Sequence, residues 1–341
     1  MSTASQIYPP APTFTEASII DLSQKVYIIT GATSGIGIAL AKILYKLHAT
    51  VYIGARSLDK FNKAVEGIKE QCLGSQGELK PFIADLADLA TIKPSVDGFL
   101  KQEWRLDVLF LNAGVMTPPA GSKTKQGYDL ELGVHCLASF LLTALLFPIQ
   151  STTASHFCHP NPSIRVVWVS SLLSLSTPQG GVQFDSSTGL PKQLRAMENY
   201  MQSKAGVYLL AHEFSLRQKT GQLPQQRDEA AQHTLPNSNP SGVQQIVLNP
   251  GFTRTGIHRS IPALIRGAMT TAFKGAEYGA YTELYAGLGP DVKSEDFVIP
   301  WGRKGSVPNY VKESIVAKDG EVDTVSARFY EWCEKQVKQF I

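Results

Sequence analysis

The chain has 341 residues, of which 43% are hydrophobic and 18% are charged, a composition typical of a soluble globular protein. Its 32 Lys and Arg residues barely exceed its 29 Asp and Glu residues, and the net charge of +3 excludes a strongly basic nucleic-acid-binding surface. The length fits one large α/β domain or two smaller ones.

The N-terminal segment, residues 1–22, has no basic stretch followed by an apolar one. We therefore predict a flexible or loosely docked tail and no signal peptide. The longest apolar run, from Cys136 to Ile149, has about 14 residues, fewer than the roughly 18 to 20 that span a bilayer. This run predicts a buried or interface helix and no membrane span.

Short β-branched runs alternate with helical patterns along the chain. The predicted strands are KVYIIT, TVYIGAR, LKPFIADL, LDVLFLNAG, IRVVWVSS and VQQIVLNPG. The predicted helices follow GATSGIG, run from Leu58 to about Cys72, end by Trp104, span 130–147 and begin near Tyr200. This alternation predicts an α/β fold with one Rossmann-type doubly wound parallel sheet and helices on both faces.

The elements fit one domain, residues 23–290, followed by a C-terminal extension, 291–341, that packs on it. Two polar segments, 150–163 and 217–242, predict surface loops because they are rich in Pro, Gln and Asn. The extension ends in an amphipathic helical pattern. The residues at helical spacing are Val325, Phe329, Trp332, Cys333 and Val337.

The four cysteines lie far apart and lack the spacing of metal ligands. They predict reduced thiols in a cytoplasmic protein, and neither a disulfide framework nor a metal site. The four are Cys72, Cys136, Cys158 and Cys333.

A glycine-rich turn, TGATSGIG, lies directly after the first predicted strand and directly before a helix. Glycines let the backbone turn tightly and approach a pyrophosphate, which binds the N–H groups and positive dipole of the helix N-terminus. The turn therefore predicts a dinucleotide site. Its predicted cofactor-binding residues are Gly31, Thr33, Ser34, Gly35, Ile36 and Gly37.

The end of the second predicted strand indicates which dinucleotide binds. An acid at this position holds the ribose 2′-hydroxyl of NAD, whereas the 2′-phosphate of NADP requires an Arg. The strand ends in Arg56 and has no acid before Asp59. We therefore predict NADP, with Arg56 and Ser57 on the phosphate; NAD is the alternative.

A phenol and an ammonium share one helix face, because Tyr200 and Lys204 are four residues apart. A nearby ammonium favours the phenolate and lowers the phenol pKa, which suits proton transfer to or from a substrate oxygen. A strand-end hydroxyl is needed to hydrogen-bond that oxygen. Ser170 and Ser171 are both candidates, and alternation along the strand allows only one of them to face the cleft.

Together these motifs resemble the short-chain dehydrogenase/reductase family over roughly Lys25 to Leu288. The resemblance also rests on ADL at 84–86, LNAG at 111–114 and NPGFTRT at 249–255, and it favours Ser171 over Ser170. It implies further cofactor contacts near the adenine, the ribose and the nicotinamide. These are Asp85 and Leu86, then Asn112, Ala113 and Gly114, then Pro250, Gly251 and Thr253.

The resemblance implies an NADP(H)-dependent oxidoreductase for a ketone or secondary alcohol, with Ser171, Tyr200 and Lys204 as catalytic residues. Within the family, the chain is most similar to the retinol dehydrogenase and WW-domain oxidoreductase branch, which includes fungal reductases of secondary metabolism. Such enzymes suggest a lipophilic substrate and a homodimer. The pocket walls are expected from 172–195, from 255–273 and from the chain after Pro290.

One position departs from the family pattern. Where the branch has an Asn that holds a water beside the Lys, this chain has His135 within GVHCLASFLLT. We expect His135 to hold that water through its imidazole, or through its backbone carbonyl in a locally opened helix. The alternative is that His135 only packs in the helix and another group supplies the relay. The rival hypothesis is a catalytically impaired NADP(H)-binding sensor or scaffold protein.

Overall fold

One sheet runs through the part of the chain that the computed structural model describes, namely 4–157, 164–223, 242–255, 273–317 and 323–341. Its strands are β1 Val26–Ile29, β2 Thr50–Ala55, β3 Glu78–Ile83, β4 Val108–Leu111, β5 Arg165–Val169, β6 Gln244–Leu248, β7 Phe297–Ile299 and β8 Arg303–Gly305. Their order is β3-β2-β1-β4-β5-β6-β7-β8. All neighbours are parallel except β7 and β8, which confirms the predicted doubly wound sheet.

Helices cover both faces of the sheet. They are α1 Ala4–Ile7, α2 Gly35–Lys46, α3 Leu58–Gln71, α4 Ile92–Leu100, α5 Leu130–Leu132, α6 Ala138–Phe157, α7 Ala196–Lys219, α8 Ala276–Leu288, α9 Asn309–Ser314 and α10 Val325–Val337. One apolar cluster joins α2, α3 and α8 to the sheet, and a second joins α4, α6, α7 and α10 to its other face. The central strands are therefore buried on both sides, as their near-continuous β-branched sequences require.

The helix that starts at Leu130 is longer than predicted, so the predicted loop at 150–163 is wrong for residues 150–157. Two polar side chains explain the continuation: Gln150 Nε2 donates to the Arg165 carbonyl at 3.0 Å, and Thr153 Oγ1 accepts the Leu106 N–H at 3.1 Å. The other predicted loop begins within α7, which ends at Lys219. Residues 158–163, including Cys158, and residues 224–241 lie outside the described part of the chain.

This long helical stretch, Leu130–His156, has the length and composition to cross a membrane. However, 83% of its most apolar window is buried inside the protein. Such burial is typical of a core helix, because its apolar side chains already pack against the sheet and α7.

The C-terminal extension does more than pack on the predicted domain, because β7 and β8 complete the sheet beside β6. The predicted amphipathic helix is confirmed as α10, and its Phe329, Tyr330 and Cys333 are fully buried. The Tyr330 ring lies 4.8 Å from Phe140 of α6 and 5.2 Å from Phe214 of α7. Thus α10 packs on α6 and α7 and belongs to the same apolar cluster.

The N-terminal segment docks on the domain through a few side chains, although most of residues 4–22 are exposed or half-buried. Gln6 is buried and accepts a hydrogen bond from Asn249 Nδ2 at 3.0 Å. Phe14 packs edge-on against Tyr285 at 5.5 Å. The contacted residues, Asn249 and Tyr285, are far from this segment in the sequence, so the composition of the segment does not indicate these contacts.

Candidate active site

The glycine turn between β1 and α2 has the predicted geometry. Gly31 and Gly35 have positive φ values of 66° and 58°, which strain any residue with a side chain. A methyl group on Gly37 would lie 2.6 Å from Asn112 Nδ2 and 2.7 Å from the Gly31 carbonyl oxygen. The turn can therefore approach both a ligand and the end of β4 closely.

The first turn of α2 presents backbone N–H groups that suit an anion. Its N-cap, Ser34, makes no side-chain bond to the helix within the described structure, and the first turn contains no acid. Thr33 precedes this cap, and Ile36 follows it and contacts the position of Gly279. The chemistry fits a pyrophosphate, since uncapped N–H groups and the helix dipole both favour negative charge.

The carboxyl end of β4 is tied to the glycine turn. Asn112 Nδ2 donates to the Thr30 carbonyl at 2.8 Å, and the Ala113 N–H donates to Thr30 Oγ1 at 2.9 Å. Gly114 follows, with room for no more than a small group beside His135 and Lys204. The predicted ribose contacts therefore lie between the glycine turn and α7.

The ends of β2 and β3 carry the predicted adenosine contacts. Arg56 is exposed and has no ion-pair partner among the described residues, whereas the nearby Asp59 pairs with Lys63 at 3.2 Å. Ser57 caps α3 by accepting the Lys60 N–H. The guanidinium is therefore available to a phosphate at the α3 N-terminus.

At the end of β3, the Asp85 carboxylate accepts the Ala87 N–H at 3.1 Å, and the Asp85 N–H donates to Thr91 Oγ1 at 3.0 Å. Leu86 is half-buried against the core. These bonds fix the turn that leaves β3 on the same edge of the sheet as Arg56.

The end of β6 forms a tight turn at the predicted nicotinamide contacts, Pro250, Gly251 and Thr253. Asn249 Oδ1 accepts the Gly251 N–H at 3.0 Å, and Gly251 has a φ of 81°. A methyl group at Gly251 would lie 2.6 Å from the Trp301 ring, while Thr253 is buried. Gln6 of the N-terminal segment accepts a hydrogen bond from this Asn249 side chain, a contact that no sequence motif indicated.

The two candidate serines after β5 separate as alternation requires. Ser170 is buried and donates to the Lys204 carbonyl at 2.8 Å, so it joins β5 to α7. Ser171 is half-buried, accepts the Leu173 N–H at 3.2 Å, and lies close enough to the Tyr200 phenol to lower its pKa. The structure thus brings Ser171, and not Ser170, to the phenol.

Tyr200 and Lys204 are both buried on α7. Burial raises the pKa of Tyr200 to about 12, while the Ser171 hydrogen bond acts to lower it and the Glu131 charge to raise it. Burial lowers the pKa of Lys204 to about 8. The expected lowering of the phenol pKa by Lys204 is therefore wrong, because desolvation of the buried phenol raises the pKa and the neighbouring charge that shifts it is that of Glu131.

The Lys204 ammonium donates to the Val169 carbonyl at 2.8 Å, at the end of β5. A methyl group placed on Gly114 would lie 3.5 Å from this nitrogen. Lys204 thus sits between the ends of β4 and β5, next to the β1–β4 switch point at which ligands bind in doubly wound sheets.

His135 lies in a π-helical turn, Gly133–Leu137, in which the Ala138 N–H donates to the Gly133 carbonyl. The locally opened helix is therefore present, as π-turns often are at functional sites. The imidazole is fully engaged, however: Nε2 accepts the Val115 N–H at 3.0 Å, and Nδ1 lies 2.8 Å from Ser203 Oγ.

Both ring nitrogens of His135 are thus already bonded to protein groups, which leaves the imidazole no free nitrogen for the relay water. Burial and the nearby Lys204 charge hold the pKa of His135 well below 6.5, so the ring is neutral. The backbone carbonyl of the opened turn, or another group while His135 only packs in the helix, is left to hold this water.

Two buried acids near Lys204 were missed by sequence reasoning. Glu131 lies four residues before His135, and burial raises its pKa to about 7. Glu283 lies on α8, where burial raises its pKa to about 8, and its carboxyl has no hydrogen-bond partner in the described regions. For Glu131, the signal available in the sequence was its position four residues before His135.

One predicted wall of the pocket, 256–272, lies outside the described residues. The residues that are described include no group of three or more His, Cys, Asp or Glu side chains able to hold a metal ion. The glycine turn and the strand ends have the form of a dinucleotide site, and the buried Tyr200 phenol and Lys204 ammonium lie next to them.

Comparisons with known proteins agree with this arrangement. A profile of the short chain dehydrogenase family matches residues 25–187. A short-chain dehydrogenase/reductase from Phomopsis amygdali is 39% identical over 98% of this chain and 96% of its own length. The chain therefore belongs to the short-chain dehydrogenase/reductase family, and it is an oxidoreductase that acts on CH–OH or C=O groups with a nicotinamide cofactor.

Solved structures share the fold. A putative uncharacterized protein from Mycobacterium Paratuberculosis superposes with a TM-score of 0.65 at 24% identity, covering 95% of this chain and 97% of that one. A short-chain dehydrogenase from Sphingobium yanoikuyae in complex with NADPH has a TM-score of 0.53 at 19% identity, with 76% and 83% coverage. At these identities, the similarity establishes the fold.

Proposed function

We propose that this oxidoreductase uses NADP(H) to interconvert a lipophilic ketone and its secondary alcohol, with Tyr200 as the proton donor and acceptor. The observation that carries the proposal is the meeting of Ser171, Tyr200 and Lys204 at the end of β5, beside the glycine turn. A protein that only binds the cofactor has no use for a buried phenol at this point.

The proposed chemistry moves one hydride and one proton. When bound, the nicotinamide supplies the hydride for the carbonyl carbon or accepts it from the alcohol. In reduction, the Tyr200 hydroxyl donates its proton to the substrate oxygen, and Ser171 hydrogen-bonds the same oxygen as its charge develops. The oxidation reverses these steps.

Lys204 suits the return of the proton to Tyr200. Because its pKa is lowered to about 8, the ammonium exchanges protons near neutral pH. The π-turn around His135 lies beside this ammonium, and its carbonyl is the group we propose to hold the connecting water.

The preference for NADP is supported by Arg56. Its exposed guanidinium is free of described ion pairs at the end of β2, and no acid occupies the position that would bind a ribose 2′-hydroxyl. The fold relative solved with NADPH is in keeping with this choice. NAD remains the competing cofactor, and the two are separated by the Arg56 variant described below.

A lipophilic substrate is supported by aromatic side chains next to the nicotinamide turn. Phe252 and Phe273 stack with ring centroids 5.2 Å apart, and both are half-buried. Trp301 packs on Gly251 from the other side. We also propose a cytoplasmic enzyme of fungal secondary metabolism, since its relatives include fungal reductases and its described cysteines are free thiols.

The test uses absorbance to measure how fast the enzyme consumes NADPH with each of a panel of apolar ketones. Oxidation of NADPH that depends on both ketone and enzyme is expected. Tight NADPH binding without turnover on any ketone or, in reverse, on any secondary alcohol would favour the sensor or scaffold hypothesis instead.

A further inference from the structure

The chain that follows Gly114 is held by two side chains from one helical stretch. His135 Nε2 accepts the Val115 N–H at 3.0 Å, and Glu131 Oε1 accepts the Thr117 N–H at 2.7 Å. Thr117 has a φ of 41°, an unfavourable conformation for a β-branched residue. The Glu131 carboxyl therefore stabilises a strained turn that begins at the predicted ribose contact.

Glu131 is also close enough to the catalytic helix to act on it through its charge. Its side chain is 1% exposed, so solvent screens its charge only weakly. The ionised carboxylate raises the pKa of both Tyr200 and Lys204. Coulomb coupling in a buried site is stronger than at a surface, so this effect is expected to reach the reaction.

The other titratable groups around these residues can be identified. Asp129 faces Glu131 from its own element, and Lys204 faces it from α7. Cys136 and Glu283 act on Lys204. His135 contributes no charge, because its imidazole is neutral. Glu131 is thus the group in this set whose carboxylate acts on both Tyr200 and Lys204.

We infer that Glu131 is a positioning residue for the proposed reaction: it fixes the turn after Gly114 through the Thr117 amide, and it places a buried carboxylate on α5, which packs against the helix α7 that carries Tyr200. The inference rests on the proposed function of Tyr200. It gives Glu131 two separable roles, one carried by the hydrogen bond and one carried by the charge.

The two roles, the hydrogen bond and the charge, predict different results for two variants of Glu131. Glu131→Gln keeps an oxygen acceptor for the Thr117 N–H but removes the charge, while Glu131→Ala removes both. Alcohol oxidation requires the Tyr200 phenolate, so its rate rises with pH as the phenol ionises. Without the opposing carboxylate, this rise is expected at a lower pH.

The measurement is kcat for alcohol oxidation by saturating NADP⁺ across neutral to alkaline pH. For Glu131→Gln we expect a maximal kcat within a few-fold of wild type and a profile shifted to lower pH. For Glu131→Ala we expect kcat to fall roughly tenfold or more, the loss typical of one hydrogen bond to a charged group. NADPH affinity, measured by fluorescence, reports whether each variant is folded.

Glu103→Gln is the matched control, because Glu103 is another poorly exposed carboxyl that bonds Tyr52 and Lys80. Its profile should match wild type. A Glu131→Gln profile that also matches wild type overturns the role of the charge, and a fully active Glu131→Ala overturns the role of the hydrogen bond. Failure of the proposed function looks different, since wild type itself would then oxidise no alcohol.

Discussion

The glycine turn and the Tyr200 pocket lie at the same edge of the sheet, but they consist of different chemical groups. The turn offers uncharged backbone N–H groups. It depends on glycines, because a methyl group on Gly37 would lie only 2.6 Å from Asn112 Nδ2. By the Tyr200 pocket we mean the group of buried side chains Tyr200, Lys204 and Glu131, whose pKa values are displaced. The turn should therefore control cofactor affinity, and the pocket should control rate and pH dependence.

Removing the phenol gives the largest expected effect and tests the pocket side of the comparison. Tyr200→Phe should lower kcat roughly a thousandfold, because it deletes the proton donor and little else. NADPH affinity should stay within a few-fold, as fluorescence titration would show. A variant that keeps most of its kcat would show that the proton comes from elsewhere.

Adding a methyl group in the turn should have the converse effect. In Gly37→Ala the new atom meets the Gly31 carbonyl and the Asn112 amide, so the turn must shift. We expect NADPH to bind roughly tenfold to a hundredfold more weakly, since such overpacking costs about 1–3 kcal/mol.

The matched control for that variant is Gly67→Ala in α3. Nothing lies within 4 Å of a methyl group at Gly67, and alanine favours a helix. Its NADPH affinity should equal that of wild type. If Gly37→Ala binds NADPH equally well, the turn does not cradle the cofactor.

Arg56 refines the comparison, because it is the charged side chain that we predict to contribute to cofactor affinity. Arg56→Ala should weaken NADPH roughly tenfold and leave NADH almost unchanged, since a charge-assisted bond to the 2′-phosphate exists only for NADPH. Kd values for both cofactors provide the measurement. Equal losses would remove Arg56 from the phosphate site.

His135 gives the smallest expected effect on pH dependence. Its pKa is held well below 6.5 by burial and by Lys204, so the ring stays neutral throughout the working range. His135→Asn should lower activity by a few-fold through lost bonds to Val115 and Ser203, with a pH profile of unchanged shape. A profile that loses an inflection in this variant would restore the imidazole as a titrating group.

The same contrast explains what the sequence could predict. The glycine turn is a local motif, and Tyr200 and Lys204 share a helix face, so both were predictable from spacing alone. The bonds from Glu131 to Thr117 and from Gln6 to Asn249 depend on contacts across the fold. No local pattern reports such partners.

Fold details failed for a similar reason. β7 and β8 have three residues each, too short to be recognised without the strands that pair with them. The helix continued beyond residue 150 because Gln150 and Thr153 bond to residues in or next to distant strands, although their composition is typical of a loop. Tertiary contacts thus overrode local composition at both places.

The most direct test of the account follows the hydride itself. NADPH that carries deuterium at the transferable position of its nicotinamide ring should be incubated with the enzyme and a ketone that it consumes. The account predicts one deuterium on the carbinol carbon of the alcohol, detected by mass spectrometry, and almost no product with Tyr200→Phe. NADPH bound tightly by wild type with no labelled alcohol formed from any ketone would contradict it.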